Sequence, residues 1–383
     1  MQIELQTVDS GYDRQTCWVH ARPGIIPGSP SIGIVTSHKL RITGMDVYYE
    51  INDWRSDDGG ATWSQATPHK KAFERKPLPG DREEGVSDFM PQWHQRSGTL
   101  LGTGHTVVYK DDTLMASGDR PRSTAYSSYD PNNRSWADWK KLEMPEEFFN
   151  AGAGSAQRFD LPNGEILLPI YYLKPDGGSD TPYFGNYYST VLRCSFDGET
   201  LRYIERGTEL THPDARSGFC EPSVTFAAER YYLTLRQYEA AYVAVSDDGL
   251  HFNEPIRWRF DDGSDLGNYD TQQHWLARED ELFLTYNRRG ADNDHVYNNR
   301  APLFIAKVDT DKLCVIRETE KILVPNRGAR LGNFGVAKLS DDEYWVGVAE
   351  WMQTIAPNHH DPSICEQYGS DNSVFIAKVR WPV

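Results

Sequence analysis

Three segments of the chain share one layout, and this internal repeat most constrains the fold. Each segment opens with a polar residue before a short alternating strand, passes an acidic turn, and ends its second strand at an arginine fifteen residues later. The three pairs are His105 with Arg120, Glu221 with Arg236, and Gln273 with Arg288. Looser copies begin at Arg22, Ser155 and Asn333. Units of this kind, repeated about every 50 to 60 residues, stack around an axis until a ring closes.

The six starting points predict an all-β, six-bladed β-propeller in which residues 1–383 form a single domain. Apolar runs such as 231–235 end at Asp, Gly or Asn clusters, as strands do, and helical periodicity is nearly absent. We expect the last strand, 373–377, to join the first blade or to accept the N-terminal segment 3–5, since either pairing removes exposed sheet edges. The charged stretch 69–96 exceeds the needs of a blade, and we interpret it as an inserted loop beside the central pocket.

Charge and composition narrow the classes of partner. With 40 basic and 56 acidic residues the formal net charge is −16, which argues against nucleic acid and anionic membranes as partners. No apolar stretch approaches the roughly 18 residues that a membrane span requires. No signal peptide opens the chain, so we expect a cytoplasmic location. The five cysteines are far apart and predict reduced, buried thiols rather than disulfides or a zinc site. The oligomeric state stays open.

A second motif occupies Ser56–Trp63 and fits the pattern Ser-x-Asp-x-Gly-x-Thr-Trp. In such a turn Asp58 accepts backbone N–H groups and Gly60 permits a positive φ. Degenerate copies occur at 246–252 and 195–198. With this motif and the repeat, the chain resembles the sialidase-like superfamily of Asp-box (BNR-repeat) β-propellers, which are carbohydrate-active enzymes. In that family the boxes lie on outer turns away from the active site.

The starting residues of the innermost strands predict a polar pocket at the centre of the ring. Arginine suits a carboxylate because its planar fork donates two parallel hydrogen bonds. The residues that we predict to bind the substrate are Arg22, Arg120, Arg236, Arg288, Gln273, His274, Asn333, His94, Trp93 and Tyr286.

The family resemblance implies roles for some of these residues. Sialidases hold the substrate carboxylate with three arginines. Arg22 and Arg236 match two of them in context, and the repetition of the blade makes Arg288 the third. Sialidases also place a glutamate at an inner strand to polarise a nucleophilic tyrosine, and Glu221 matches that glutamate. The family's catalytic aspartate corresponds to Asp53 or Asp46. For the tyrosine, Tyr344 and Tyr368 lie in the right third of the chain, and neither has a diagnostic context. The resemblance therefore implies an exo-acting glycoside hydrolase that cleaves a terminal carboxylate-bearing sugar from an anionic oligosaccharide or glycoconjugate.

Two other functions stay open. Some propellers of this broad type resemble lyases of rhamnose–glucuronate linkages, in which an arginine neutralises the uronate and a histidine base, here His105, removes the neighbouring proton. A non-catalytic glycan-binding propeller is the third possibility. We predict no cofactor; the loop 289–295 is rich in oxygen ligands suited to Ca²⁺, but its spacing does not support a site.

Overall fold

The computed structural model describes residues 1–180, 185–213 and 217–382, and their regular structure is almost entirely β-strand. Among these residues the helical segments are one α-helix, Pro362–Gln367, and three 3₁₀ helices, Glu146–Phe148, Tyr297–Asn299 and Arg317–Thr319. None of these helices is long and apolar enough to cross a bilayer.

The strands pair in six antiparallel sheets within the described residues. The first half of the chain contributes β1 (Gln2–Asp9), β2 (Thr16–Ile26), β3 (Ile32–Arg41), β4 (Tyr48–Ser56), β5 (Thr67–Pro68), β6 (Lys76–Leu78), β7 (Arg82–His94), β8 (Thr99–Lys110), β9 (Thr113–Leu114), β10 (Thr124–Asp130), β11 (Ser135–Trp136), β12 (Lys140–Lys141), β13 (Ala151–Gly152), β14 (Phe159–Asp160) and β15 (Glu165–Gly178). The second half contributes β16 (Gly185–Phe196), β17 (Leu201–Arg206), β18 (Leu210–Thr211), β19 (Cys220–Ala227), β20 (Arg230–Arg236), β21 (Ala241–Ser246), β22 (Ile256–Arg257), β23 (His274–Arg278), β24 (Glu281–Tyr286), β25 (Leu303–Asp309), β26 (Cys314–Val315), β27 (Lys321–Val324), β28 (Gly335–Ser340), β29 (Glu343–Ala349) and β30 (Val374–Arg380).

The sheets follow the chain order with one exception. The first sheet is β2 to β5, the second β6 to β12, the third β13 to β18, the fourth β19 to β22 and the fifth β23 to β27. The sixth combines β28, β29 and β30 with β1 from the N-terminus. Ile3 lies opposite Val379 and Leu5 opposite Ala377 in this last pairing. Of the two pairings expected for the final strand, the structure shows the one with the N-terminal segment.

Apolar clusters between consecutive sheets hold them in a ring. A four-stranded sheet cannot shield both faces alone, so each packs against its neighbours on either side. Ile34 of the first sheet shares a cluster with Leu100 of the second, and four further clusters join the second sheet through to the sixth. The ring closes where Trp345 of the sixth sheet packs with Val35 of the first. The predicted all-β, propeller-like architecture is confirmed.

The second sheet differs from its prediction. Residues 69–96, which we interpreted as an inserted loop, contain the thirteen-residue strand β7, whose residues pair with β8 from Arg82 to His94. Strand β7 contacts β2 of the first sheet, so it, and not β8, faces the inner side of the ring. His105 therefore lies on a second strand rather than on an innermost one. The charged ends of β7 concealed its central run, Val86–Pro91, which is buried.

Two turns show the hydrogen bonding expected of the Ser-x-Asp-x-Gly pattern. Asp58 Oδ1 accepts the backbone N–H groups of Ala61 and Thr62 at 3.0 and 2.9 Å, and Gly60 has φ +79°. Asp248 accepts two backbone N–H groups in the same way after β21. Both turns lie outside the central pocket, as expected. All five cysteines are buried and free.

Candidate functional site

The innermost segments share a backbone irregularity at one end of the ring. Five residues there are not glycine yet have positive φ between 46° and 57°: His20, Asp88, Ser155, Glu221 and Asp270. In the first, second and fourth sheets the pairing register shifts at this point, as it does at a β-bulge. Each such residue costs of order 1 kcal/mol or more, and strained backbone of this kind clusters at functional sites. The bulges therefore mark this end of the ring as the candidate site.

A pocket of about 290 Å³ opens at the bulges. This volume lies at the lower end of the roughly 300–1,000 Å³ typical of small-molecule sites. Its wall contains five arginines, which are Arg120, Arg122, Arg236, Arg300 and Arg330. The acidic residues of the wall are Asp46, Asp88, Glu221 and Asp270, and its aromatic residues are Tyr48, His105, Tyr171, Tyr187, Tyr238, Tyr297 and Trp351.

Asp88 lies at the floor of the pocket, where three side chains donate hydrogen bonds to it. Its carboxylate accepts hydrogen bonds from Arg22 Nη2 at 3.1 Å, from the hydroxyl of Ser155, and from Ser87 Oγ at 3.0 Å. Burial alone would raise the pKa of Asp88, but the neighbouring His20 and Arg22 and the hydroxyl of Ser155 hold it well below its usual value. Asp88 is therefore a fixed negative charge beneath the pocket.

His105 connects this charge to a tyrosine. Its Nε2 atom lies 3.4 Å from Asp88 Oδ2, and its Nδ1 atom lies 3.1 Å from the hydroxyl oxygen of Tyr171. Because the ionised carboxylate is only an acceptor, we assign the proton to Nε2, so that Nδ1 accepts from the tyrosine. Burial and the charge of Arg122 lower the pKa of His105 to about 3, and burial raises that of Tyr171 well above its usual value. At neutral pH both groups are uncharged, and the histidine is placed to take the phenolic proton.

Glycines position this histidine. A Cβ atom on Gly154 would lie 2.0 Å from His105 Nδ1, and one on Gly152 would lie 2.4 Å from His105 Cβ. The third sheet approaches the imidazole so closely that only glycine fits. The ring is thus clamped between the segment 152–154 and Asp88.

A second network lies on the side of the fourth and fifth sheets. Arg236 donates to Glu221 Oε1 at 2.5 Å and to Asp270 Oδ1 at 2.6 Å. Burial would lower the pKa of Arg236, but Glu221 and Asp270 raise it well above its usual value. Arg300 donates to the backbone carbonyl of Asp270 and to Asn333 Oδ1. This side of the pocket has its charges largely paired within the protein.

One further carboxylate lies at the rim. Asp46 is half-buried in the turn between β3 and β4 and accepts a hydrogen bond from the Tyr48 hydroxyl at 2.8 Å. Asp46 lines the pocket whereas Asp53 does not. Asp53 is buried between the first and second sheets. Its carboxylate contacts His69 Nε2 at 2.8 Å and accepts a hydrogen bond from Trp136 Nε1 at 3.1 Å.

Six of the residues predicted for the site line the pocket: Asp46, His105, Arg120, Glu221, Arg236 and Asn333. Cys220, next to Glu221, also lines it, but burial raises the pKa of its thiol to about 12, so it is not a nucleophile at neutral pH.

The predicted arginine triad is not formed. Arg22 is fully buried below the floor, where it donates to Asp88, Ser155 and Gln272. Arg288 points away from the pocket and donates twice to Glu320, which also accepts from the Tyr286 hydroxyl. Of the three, only Arg236 reaches the pocket.

The other predicted site residues have structural contacts. Gln273 and His274 are fully buried, and they contact Thr234 and Ser223 respectively. His94 is buried against Ser97 and the carbonyl of Gly164, and Trp93 donates to Gln95.

The two tyrosines proposed as nucleophile also lie elsewhere. Tyr344 donates to the carbonyl of Ala277, and Tyr368 is exposed and stacks on His295. In the part of the chain that the structure describes, no group of three or more His, Cys, Asp or Glu side chains is arranged to hold a metal ion. In the loop 289–295, Asn293 donates its amide N–H groups to three backbone carbonyls and so stabilises the loop itself.

Comparison with known proteins shows the fold. No protein-family profile and no curated protein matches the chain. Among solved structures, a protein of unknown function from Dyadobacter fermentans shares 14% identity with a TM-score of 0.65 and covers 99% of both chains. The NanB sialidase of Streptococcus pneumoniae shares 10% identity with a TM-score of 0.64, over 98% of this chain and 70% of that one.

A third similar structure is Trypanosoma rangeli sialidase in complex with sialic acid. It shares 13% identity with a TM-score of 0.57, and the match covers 98% of this chain and 58% of that one. At such identities the likeness shows a sialidase-like propeller fold. The activity has to be argued from the residues of the site.

Proposed function

We propose that the protein is a carbohydrate-active enzyme that hydrolyses the bond to a terminal acidic sugar, with Tyr171 as its nucleophile. The observation that carries this proposal is the buried series Asp88, His105 and Tyr171, which ends in an arginine-lined pocket beside Arg122. A nucleophile, a base that contacts it and a group that orients the base form the arrangement of an activated nucleophile.

The proposed reaction proceeds in two steps. As the oxygen of Tyr171 bonds to the anomeric carbon, its proton moves to His105 Nδ1, and the imidazolium is stabilised by Asp88. The leaving oxygen takes a proton from Asp46 at the rim. Water then attacks the anomeric carbon and loses a proton to Asp46, the bond between that carbon and the Tyr171 oxygen breaks, and the released phenolate regains its proton from His105.

The surroundings of Tyr171 suit a sugar whose reacting carbon bears a carboxylate. A carboxylate nucleophile would be repelled by that group, whereas a tyrosine is neutral until its proton leaves. The guanidinium of Arg122 lies 4.9 Å from the centre of the Tyr171 ring, so a carboxylate bound there would be adjacent to the phenolic oxygen. Sialosides have this arrangement, and the sialidase solved with sialic acid has the same fold.

The geometry also favours a second candidate, elimination from a uronate. In this reaction the activated Tyr171 removes the proton on the carbon next to the carboxylate, and Arg122 stabilises the charge that develops there. The bond from the neighbouring carbon to the leaving oxygen then breaks as the double bond forms, and the leaving oxygen takes the proton that Tyr171 had removed. Burial and Arg122 lower the pKa of His105 to about 3, so the ring is neutral and its Nδ1 atom can accept the phenolic proton. Hydrolysis ranks first because Asp46 offers the second acid–base group that a hydrolase needs.

We also propose that each of the six sheets is one blade of the ring, and that the turns at Ser56 and Ser246 are Asp boxes. The closed series of apolar clusters and the matching hydrogen bonds of Asp58 and Asp248 support these assignments.

One assay separates the candidates. The purified protein would be incubated with a panel of sialosides and uronic-acid oligosaccharides, and products would be followed by chromatography and by near-ultraviolet absorbance. Hydrolysis releases a sugar without new absorbance, whereas elimination creates a conjugated double bond that absorbs. Asp46→Asn should slow hydrolysis about 10²–10⁴-fold yet leave elimination nearly unchanged. Saturable binding without any product would contradict both candidates and indicate a binding protein.

A further inference from the structure

Two arginines of the pocket have no carboxylate partner among the described residues. Arg122 makes no side-chain hydrogen bond within this part of the chain, and its Nη1 atom is buried. Arg330 donates from Nη2 to Gln353 at 2.8 Å, but its buried Nε atom has no acceptor among the described residues. Their exposed fractions are 8% and 4%.

Aromatic rings, rather than acids, support both guanidinium groups. Arg122 lies 4.9 Å from the ring centre of Tyr171 and 5.2 Å from that of Tyr187. Arg330 lies 3.6 Å from the ring centre of Trp351 and 4.6 Å from that of Tyr297. Such stacking offsets part of the cost of removing the charge from water. Because each guanidinium stacks through its face, the N–H groups, which lie in the guanidinium plane, stay available to an acceptor.

The two groups come from opposite sides of the ring. Arg122 precedes β10 of the second sheet and stacks on tyrosines of the third, β15 and β16. Arg330 precedes β28 of the sixth sheet and stacks on Tyr297, which follows β24 of the fifth. Trp351, on which Arg330 also stacks, packs with Tyr48 of the first sheet, so Arg330 lies on the side of the fifth, sixth and first sheets, away from the second and third.

Two other arginines of the pocket, Arg236 and Arg300, have carboxylates beside them. Glu221 and Asp270 flank Arg236, and Asp270 also lies 3.8 Å from Arg300. A buried cation that lacks such a partner is costly unless an anion completes the site. The positive charge of Arg330 is also disfavoured by its surroundings, since burial and the neighbouring Arg300 lower its pKa to about 10.

We propose that the ligand of this pocket carries two separate anionic groups, one bound by Arg122 beside Tyr171 and the other bound across the pocket by Arg330. This inference rests on the proposed function in taking the ligand to be an acidic sugar. It narrows the class to sugars or short glycans with a second acidic substituent, such as a sulfate ester or a second carboxylate. The first group is the one next to the reacting carbon, and the second selects the substrate.

Inorganic sulfate tests the two positions without any assumption about the sugar. Crystals soaked in sulfate should hold two ions in the pocket, one within hydrogen-bond distance of each arginine. Arg122→Gln and Arg330→Gln should each lose one ion and retain the other. Arg288→Gln, whose guanidinium is paired with Glu320 outside the pocket, should retain both. One ion or none in the unaltered pocket would overturn the proposal.

Matched sugars test the consequence for affinity. Methyl β-glucuronide has one charge, and its 2-O- and 3-O-sulfate esters have two. By calorimetry at fixed ionic strength, at least one ester should bind roughly 10- to 100-fold tighter, as a charge-assisted hydrogen bond predicts. Arg330→Gln should remove this advantage and leave the affinity for the unsulfated sugar unchanged, while Arg330→Lys should restore part of it. Equal binding of all three sugars, or a sulfate preference that survives Arg330→Gln, would refute the second anionic position.

These outcomes are separate from those of the proposed reaction. A pocket that binds two sulfate ions but turns over no glycan would contradict the enzymatic function and leave this inference intact. An enzyme that cleaves singly charged glycans and binds doubly charged ones no more tightly would support the enzymatic function and contradict this inference.

Discussion

The Nδ1 atom of His105 lies 3.1 Å from the hydroxyl oxygen of Tyr171, although the two residues are 66 positions apart and belong to different sheets. The contact exists because the third sheet approaches the second through Gly152 and Gly154, which leave room for the imidazole. Asp88 contacts the opposite edge of the imidazole, at Nε2, and fixes the orientation of the histidine. Because burial lowers the pKa of His105 to about 3 and raises that of Tyr171 well above its usual value, this proton moves only as the tyrosine oxygen bonds to the substrate.

Replacement of the tyrosine tests this relationship directly. Tyr171→Phe removes one oxygen and retains the ring that supports Arg122, so kcat should fall about 10²–10⁴-fold while KM changes little. Steady-state kinetics on the substrate found in the panel would measure both.

Tyr344→Phe provides the matched control, because its hydroxyl donates to the Ala277 carbonyl far from the pocket. It should lower the free energy of unfolding by about 1–3 kcal/mol and leave kcat unaltered. Full turnover by Tyr171→Phe would rule out the tyrosine as the reacting group.

The glycine behind the histidine offers an independent test. In Gly154→Ala the new Cβ would lie 2.0 Å from His105 Nδ1, so the imidazole must shift away from Tyr171. We expect kcat to fall at least about 10-fold through lost positioning, with a smaller effect on KM.

Gly33→Ala introduces a comparable clash, 2.6 Å from the ring of Trp345, between the first and sixth sheets. Both substitutions should destabilise the fold by about 1–3 kcal/mol, as overpacking does. Equal loss of kcat in the two variants, measured at a temperature where both are folded, would show that stability rather than histidine position is responsible.

The repeat in the sequence predicted the ring but only part of the site. Glu221 and Arg236 meet as their fifteen-residue spacing suggests, because the bulge at Glu221 directs it into the pocket. The same spacing fails for Gln273 and Arg288. On the segment that precedes the fifth sheet the residue with positive φ is Asp270, three positions before Gln273, and it is Asp270 that reaches Arg236 in the pocket.

The residues that sequence reasoning missed have weak local signals. Tyr171 belongs to the apolar run of β15 and resembles a core residue, and Arg122 is two positions from the predicted Arg120. Asp88 offered the best clue, since an acidic residue interrupts the apolar run of β7, but that segment was interpreted as a loop. Arg330 lies between strands, where no periodicity indicates direction. Bulges and loop paths depend on tertiary packing and so were not predictable from spacing.

Buried histidines should make the fold sensitive to acid. His38 is 1% exposed, and burial lowers its pKa to about 4, below the ordinary value near 6.5. Between these values the unfolded chain binds a proton that the folded one does not, so stability falls as the pH drops below about 6.5. His38 should contribute up to about 1.4 kcal/mol per pH unit.

His38→Asn keeps a donor for the Tyr49 carbonyl, which Nδ1 contacts at 2.9 Å, and removes the titrating group. Urea unfolding at pH 6.5, 5.5 and 4.5 should give a shallower loss of stability for the variant than for the parent. Parallel losses would show that His38 titrates alike in the folded and unfolded states.

The pH dependence of kcat/KM tests the base itself, since His105 must be neutral to accept the phenolic proton. Burial and Arg122 lower its pKa to about 3, so the neutral form persists as the pH falls through 6.5 and is lost only near 3. The acidic limb of kcat/KM should therefore be absent between pH 7 and 5, measured by brief assays during which the protein stays folded. Arg122→Met removes a cation that depresses this pKa and should move the acidic limb to higher pH, even though the variant is slow. An acidic limb centred near 6.5 in the parent, unaffected by Arg122→Met, would show that a solvated group and not His105 controls the reaction.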